Sequence, residues 1–168
     1  FDGSGKTPIT TDLGIKDNII SEIGKIDSDK GKEVIDVDGL AVSPGFVDMH
    51  THSDFTLMVN GRAESQVHQG VTTEVVGQCG ISCAPVNNDK DIKQMAIGFC
   101  ENSHKLGWRS FKEYLASLEK NKLGVNVAAF VGHGAVHNNV LGNELRAPDH
   151  NEIVKMCKIV EESLDDGA

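Results

Sequence analysis

No stretch of this sequence is apolar enough to cross a membrane, since no run approaches the roughly 20 residues that a spanning helix needs. Basic charge is scarce as well. Sixteen Lys and Arg stand against 25 Asp and Glu, a net charge of −9, which argues against nucleic acid or an anionic membrane surface as the main partner. Cysteine is too sparse for a disulfide framework: Cys79, Cys83, Cys100 and Cys157 are spread over half of a 168-residue chain. Reduced thiols and a cytoplasmic setting are the expectation. There is no initiator methionine before Phe1 and no signal-peptide pattern in the first residues. What the chain does have is 39% hydrophobic residues, enough for a packed core. Its length suits one domain, or a small domain joined to part of a larger one.

Two rhythms divide it. Residues 1–44 read as a small β module. In "TDLGIKDNIISEIG", apolar Leu13 and Ile15 precede a turn-forming Asp17-Asn18, and Ile19, Ile20 and Ile23 follow, which is a hairpin signal. "VIDVDGLAVSPG" reads as a second pair of short strands broken at Asp38-Gly39. Residues 45–168 alternate instead. "GFVDMH" predicts a strand, "GRAESQVHQG" a short helix closed by Gly70 at its C′ position, and "VTTEVVGQCG" a β-branched strand. Helical spacing runs through "KDIKQMAIGFCENSHK" and "WRSFKEYLASLEKN", "VNVAAFVGHG" gives a third strand, and a long helix follows Asp149 as N-cap. Its apolar stripe is Ile153, Met156, Cys157, Val160 and Leu164. This is the alternation of a parallel α/β architecture. A closed (β/α)8 barrel takes about 250 residues, so three βα units make an incomplete barrel, and the chain reads as truncated. Its open strand edges would favour self-association.

The chemistry gathers at strand ends. In "SPGFVDMHTHSD", His50 and His52 are two apart, so on a strand both side chains point to one face. They lie at the C-terminal end of the first barrel strand, the end on which βα barrels build active sites. Neutral imidazole is a common zinc ligand, although a surface pair would show the same spacing. Cys79 follows the second strand at the same rim, where its thiolate would suit zinc and its thiol would equally suit a buried apolar site. Cys83 is expected to pack, Cys157 to lie in the core, and Cys100 has no evident partner. His133, in "FVGHGAV", ends the third strand between glycines that let the backbone approach a ligand, or it is a loop histidine. His68, His104 and His150 fit solvated faces; His137 stays open.

These motifs carry a resemblance. "VIDVDGLAVSPGFVDMHTH" is similar to the entry into the barrel of the amidohydrolase superfamily. "HTHSD", "QGVTTEVVGQCGIS" and "FVGHGAVHNNVLG" resemble, within it, the D-aminoacylases (N-acyl-D-amino-acid deacylases). The resemblance runs through nearly all of the chain. It implies a metal-dependent (β/α)8 barrel preceded by a small β-sandwich module, of which 1–44 would be part, with 45–168 the N-terminal part of the barrel. It implies one or two zinc ions in the full-length enzyme and small-molecule N-acyl amino acid substrates. By position, His50 and His52 would hold the more exposed metal, and Cys79 would be the shared ligand where many relatives use a carboxylated lysine. Two later histidines and a catalytic aspartate, also implied, do not occur within these 168 residues, so the tightly held zinc would find one of its three ligands here. The segment alone is therefore expected to be inactive. His133 would contact the substrate carbonyl or the developing oxyanion.

There are two departures from the pattern. Gln78 stands where relatives usually have Asn, and His137 where they usually have Arg, which would remove a contact to a substrate carboxylate. The leading expectation is amide hydrolysis of N-acyl-D-amino acids. A cyclic-amide hydrolase of the dihydroorotase or hydantoinase type is the alternative within the superfamily. A non-catalytic metal-binding or interaction module is the alternative of another class.

Overall fold

In a computed structural model, residues 1–88, 90, 93 and 107–168 are described. They fall into two compact units, Phe1–Pro44 and Gly45–Ala168. In the first, β1 (Asp12–Lys16) and β2 (Ile19–Gly24) form the antiparallel hairpin that the turn chemistry predicts. Asp17 and Asn18 both take positive φ, 51° and 63°, as a two-residue turn of the right hand requires. A bulge at Gly14/Ile15 follows, and Asp12 Oδ2 accepts from the Ile26 amide at 2.9 Å. The second predicted pair of strands does not form. Residues 34–44 contain only the turn at Asp38-Gly39, closed by the Leu40 amide on the Val37 carbonyl at 2.9 Å. A strand needs a neighbour for its ladder, and none of the described residues in this unit supplies one. Val34, Ile35 and Leu40 are accordingly exposed.

In the second unit, β3 (Phe46–Asp48), β4 (Val71–Val76) and β5 (Asn126–Ala129) form a parallel sheet in chain order. β4 is central, with Asp48 and Val127 flanking Glu74 in register. Between β3 and β4 run two one-turn helices, α1 (Thr56–Val59) and α2 (Glu64–Val67). Gly70, at φ 83°, stands two residues beyond the α2 cap, one further than predicted. Helix α3 (Phe111–Lys120) starts at a capping box in which Ser110 and Glu113 satisfy each other's amides. It buries Phe111, Tyr114 and Leu118, one stripe at helical spacing. This stripe packs with Trp108, Phe55, Leu57 and Cys83 as the core of the unit, each large side chain contributing about 1.5–3 kcal/mol. The Trp108 indole donates to the Cys83 carbonyl at 2.7 Å. Cys83 is fully buried, as expected of a packing residue.

Helix α4 (His133–Leu141) was not foreseen, because "HGAVHNNVL" has little apolar period and no side-chain cap at Gly132. Helix α5 (His150–Asp165) opens at the predicted Asp149, again in a capping box, with Glu152. Its stripe is only partly covered: Met156 and Val160 are half-buried, while Ile153, Cys157 and Leu164 are exposed. Cys157 is thus corrected from core to surface. The helix expected over "KDIKQMAIGFCENSHK", with Cys100 and His104, lies outside the described residues. No helix among the described residues is long and apolar enough to cross a membrane.

Candidate metal centre

Strand β3 ends at Asp48, whose carboxylate turns the chain by accepting from the His50 amide at 3.1 Å. His50 and His52 therefore sit on the loop after the strand rather than on the strand itself. Their rings meet edge to face, centroids 5.5 Å apart. Three residues beyond β4, Cys79 takes φ 55°, between Gly77 at 82° and Gly80 at 76°. That left-handed turn brings Cys79 Sγ to 3.2 Å from His50 Nε2. One donor atom from each of His50, His52 and Cys79 lies within 4.8 Å of the others. Two ligands sharing one tetrahedral zinc stand about 3.3–3.6 Å apart, given bonds of about 2.0–2.3 Å. Small side-chain rotations close that gap, and a donor set of two imidazole nitrogens and a thiolate sulfur suits zinc. His50 and Cys79 are exposed and His52 half-buried, so the cluster opens outward.

The two loops are fastened to each other. The Thr51 amide donates to the Val75 carbonyl at 3.3 Å, and Gln78 Nε2 donates to the Met49 carbonyl at 2.9 Å. The Asp54 carboxylate accepts from the Gly77 amide at 3.0 Å. Burial pushes the Asp54 carboxyl above its ordinary range, against the lowering effect of that amide and of His52 nearby. Glu74, wholly buried on β4, accepts from the Ser53 hydroxyl. Neither acid was singled out from the sequence. The available signal was a charged residue inside the β-branched run "VTTEVV" and the acid closing "HTHSD".

His133 does not end a strand. It is the first residue of α4, exposed, and its ring lies 6.3 Å from that of His137, which is half-buried. It is outside the three-donor group, yet its backbone neighbours grip the cysteine loop. The Gly134 amide donates to the Gly80 carbonyl at 2.8 Å, and the Gly132 amide to Ser82 Oγ at 2.9 Å. His68 and His150 are exposed, as expected of solvated faces.

The family model described as the amidohydrolase family matches residues 33–168. The chain belongs to the amidohydrolase family. Along its whole length this family member is 34% identical to a D-aminoacylase of Alcaligenes xylosoxydans xylosoxydans, and it covers 34% of that protein. It superposes with a TM-score of 0.89 and 32% identity on a D-aminoacylase described with a binuclear metal centre, covering 99% of this chain and 35% of that one. N-acyl-D-glutamate deacylase of Bordetella bronchiseptica, complexed with zinc and a phosphonate inhibitor, gives 0.85 and 28% over 98% of this chain and 34% of that one. The mixed α/β arrangement is thus the amidohydrolase fold. The chain spans about a third of the length of the curated relatives it matches.

Proposed function

We propose that this amidohydrolase cleaves the amide bond of N-acyl-D-amino acids, giving a carboxylate and a free D-amino acid, with zinc as its metal. The observation that carries the proposal is the convergence of His50, His52 and Cys79 beyond the C-terminal ends of two adjacent parallel strands. We read β3, β4 and β5 as the first three strands of a (β/α)8 barrel and residues 1–44 as part of its β-sandwich module. In that frame His50 and His52 would hold the outer metal, and Cys79 would be the shared ligand. Zinc bound there supplies Lewis acidity that polarises the amide carbonyl and acidifies water. Cys79 gives up its proton on ligation, and the fixed loops keep both imidazoles directed at it. His133, exposed at the first turn of α4, is assigned to the substrate carbonyl oxygen. The three donors leave a fourth coordination position and the proton transfer to other groups. The free thiols suit a reducing compartment, the cytoplasm. The open edges at β3 and β5 would allow self-association.

The test is metal content and amide hydrolysis in a chain as long as the relatives, with and without Cys79→Ala. Turnover of N-acyl-D-amino acids, with loss of metal and activity in the variant, is expected. A Cys79→Ala enzyme keeping both its zinc and its rate would refute the shared ligand. Turnover of hydantoins instead would move the substrate to cyclic amides, and metal uptake with no hydrolysis of either would mark a binding module.

A further inference from the structure

We infer that Glu74 and Asp54 are positioning residues, a reciprocal pair of buried acids that holds the two ligand-bearing loops in register before any metal arrives. The inference rests on the proposed metal site for its purpose and on the hydrogen bonds alone for its geometry.

Glu74 belongs to the strand that leads to Cys79, yet its carboxylate holds the histidine loop. It accepts from Ser53 Oγ, which lies 3.0 Å from Thr51 Oγ1, so one acid secures the residues on both sides of His52. Asp54 belongs to the histidine loop, yet its carboxylate holds the turn two residues before Cys79, through the Gly77 amide. The histidine loop is thus gripped by an acid from the strand that leads to Cys79, and the cysteine turn by an acid from the histidine loop. Glu74, Ser53 and Asp54 are 0%, 3% and 2% exposed, so water does not compete for these bonds. Glu74 is nonetheless a poor stabiliser of the fold. Its second oxygen, Oε1, is buried and has no hydrogen-bond partner among the described residues. An apolar side chain of its size would spare the cost of that unpaired oxygen but would leave a buried hydroxyl unpaired in its place. What the apolar side chain lacks is an acceptor for Ser53.

That contrast separates positioning from structure. In the protein, Glu74→Met and Asp54→Ala remove the acceptor, whereas Glu74→Gln and Asp54→Asn keep one. Cobalt(II) affinity, read from the thiolate-to-metal absorption with a competing chelator, is expected to fall about tenfold in the first pair, the low end of the range for direct partners of metal ligands, because these acids act through the loops. In the second pair it should stay within about threefold of the parent. Thermal melts record any loss of stability separately, and cobalt affinity should fall at temperatures where Glu74→Met is still fully folded, an outcome that a purely structural residue would not give. Amide hydrogen exchange on the metal-free protein tests the clamp independently. Protection should fall at least about tenfold at Thr51 in Glu74→Met, and by a similar factor at Gly77 in Asp54→Ala. Unchanged exchange at those amides overturns the inference, as does full cobalt affinity in Glu74→Met and Asp54→Ala. A parent protein with no thiolate–cobalt band would sink the metal site instead, and the clamp would then stand or fall on the exchange data.

Discussion

The closest backbone approach beside the candidate metal centre makes Gly77→Ala the most informative single substitution. Gly77 has φ 82°, where an L side chain costs about 1–2 kcal/mol. A Cβ built there would lie 2.1 Å from the Phe130 carbonyl oxygen and under 3 Å from the Phe130 carbonyl carbon and nitrogen. An ordinary C···O contact is about 3.3–3.6 Å, so β4 and β5 would have to separate by more than an ångström at the end that carries the ligands. Such overpacking costs about 1–3 kcal/mol, giving about 2–5 kcal/mol together with the φ term. At roughly 3 °C per kcal/mol for a chain of this size, Tm should fall by about 6–15 °C. The same shift would carry the Gly77 amide from Asp54 and loosen Cys79, so cobalt(II) affinity should fall as well. Gly132→Ala isolates the clash, because φ there is an ordinary −77° while the added Cβ meets the Gly80 carbonyl oxygen at 2.6 Å. Gly107→Ala meets nothing within 4 Å among the described residues and should change stability by no more than about 0.5 kcal/mol. Circular-dichroism melts and a cobalt titration read all three. A Gly77→Ala protein melting with its parent and binding cobalt equally well would refute the claim that this contact sets the spacing of the loops.

Two further outcomes test other parts of the fold. Glu152, paired with the Arg146 guanidinium at 2.6 and 2.7 Å and capping α5, has its carboxyl held down to about 2 from an ordinary 4.5. With the folded value depressed, the pair's contribution is complete above pH 4.5 and is lost as pH falls toward 2, so carboxyl NMR should show Glu152 titrating near 2 and Arg146→Ala should return it toward 4.5. Trp108→Phe removes the indole donor that now lies 2.7 Å from the buried Cys83 carbonyl, at a cost of about 0.5–1.5 kcal/mol in urea unfolding followed by circular dichroism.

What the sequence made legible were features with a local cause. Asp17-Asn18 demanded a tight turn, Asp149 formed the cap expected of it, and three β-branched or alternating runs became three parallel strands. What stayed hidden depended on neighbours. Val34, Ile35 and Val37 have the composition of a strand, but composition cannot supply the second strand that a ladder requires. Cys157 occupies the apolar stripe of α5, yet a stripe is buried only where something lies against it. The histidine spacing suggested a shared face on a strand. The structure reaches the same juxtaposition by other means, a loop turned at Asp48 and a cysteine turned back to meet it. Glu74 escaped notice because a lone acid in a strand reads as a surface residue until its neighbours are seen to enclose it.

The backbone at Cys79 ties these observations together. A non-glycine residue at φ 55° carries strain of about 1–2 kcal/mol and persists where its surroundings over-determine it. Here the surroundings are specific. The Gly77 amide is held by Asp54, the Gln78 side chain by the Met49 carbonyl, and the Gly80 carbonyl by the Gly134 amide, so each residue around Cys79 is fixed from another loop. Cys79 is itself exposed, so the strain is not the cost of placing the residue in the core. It accompanies a turn that brings Sγ to 3.2 Å from His50 Nε2. A thiol that only needed a place on the surface would relax to negative φ, and anchors from two other segments would not be required to prevent it.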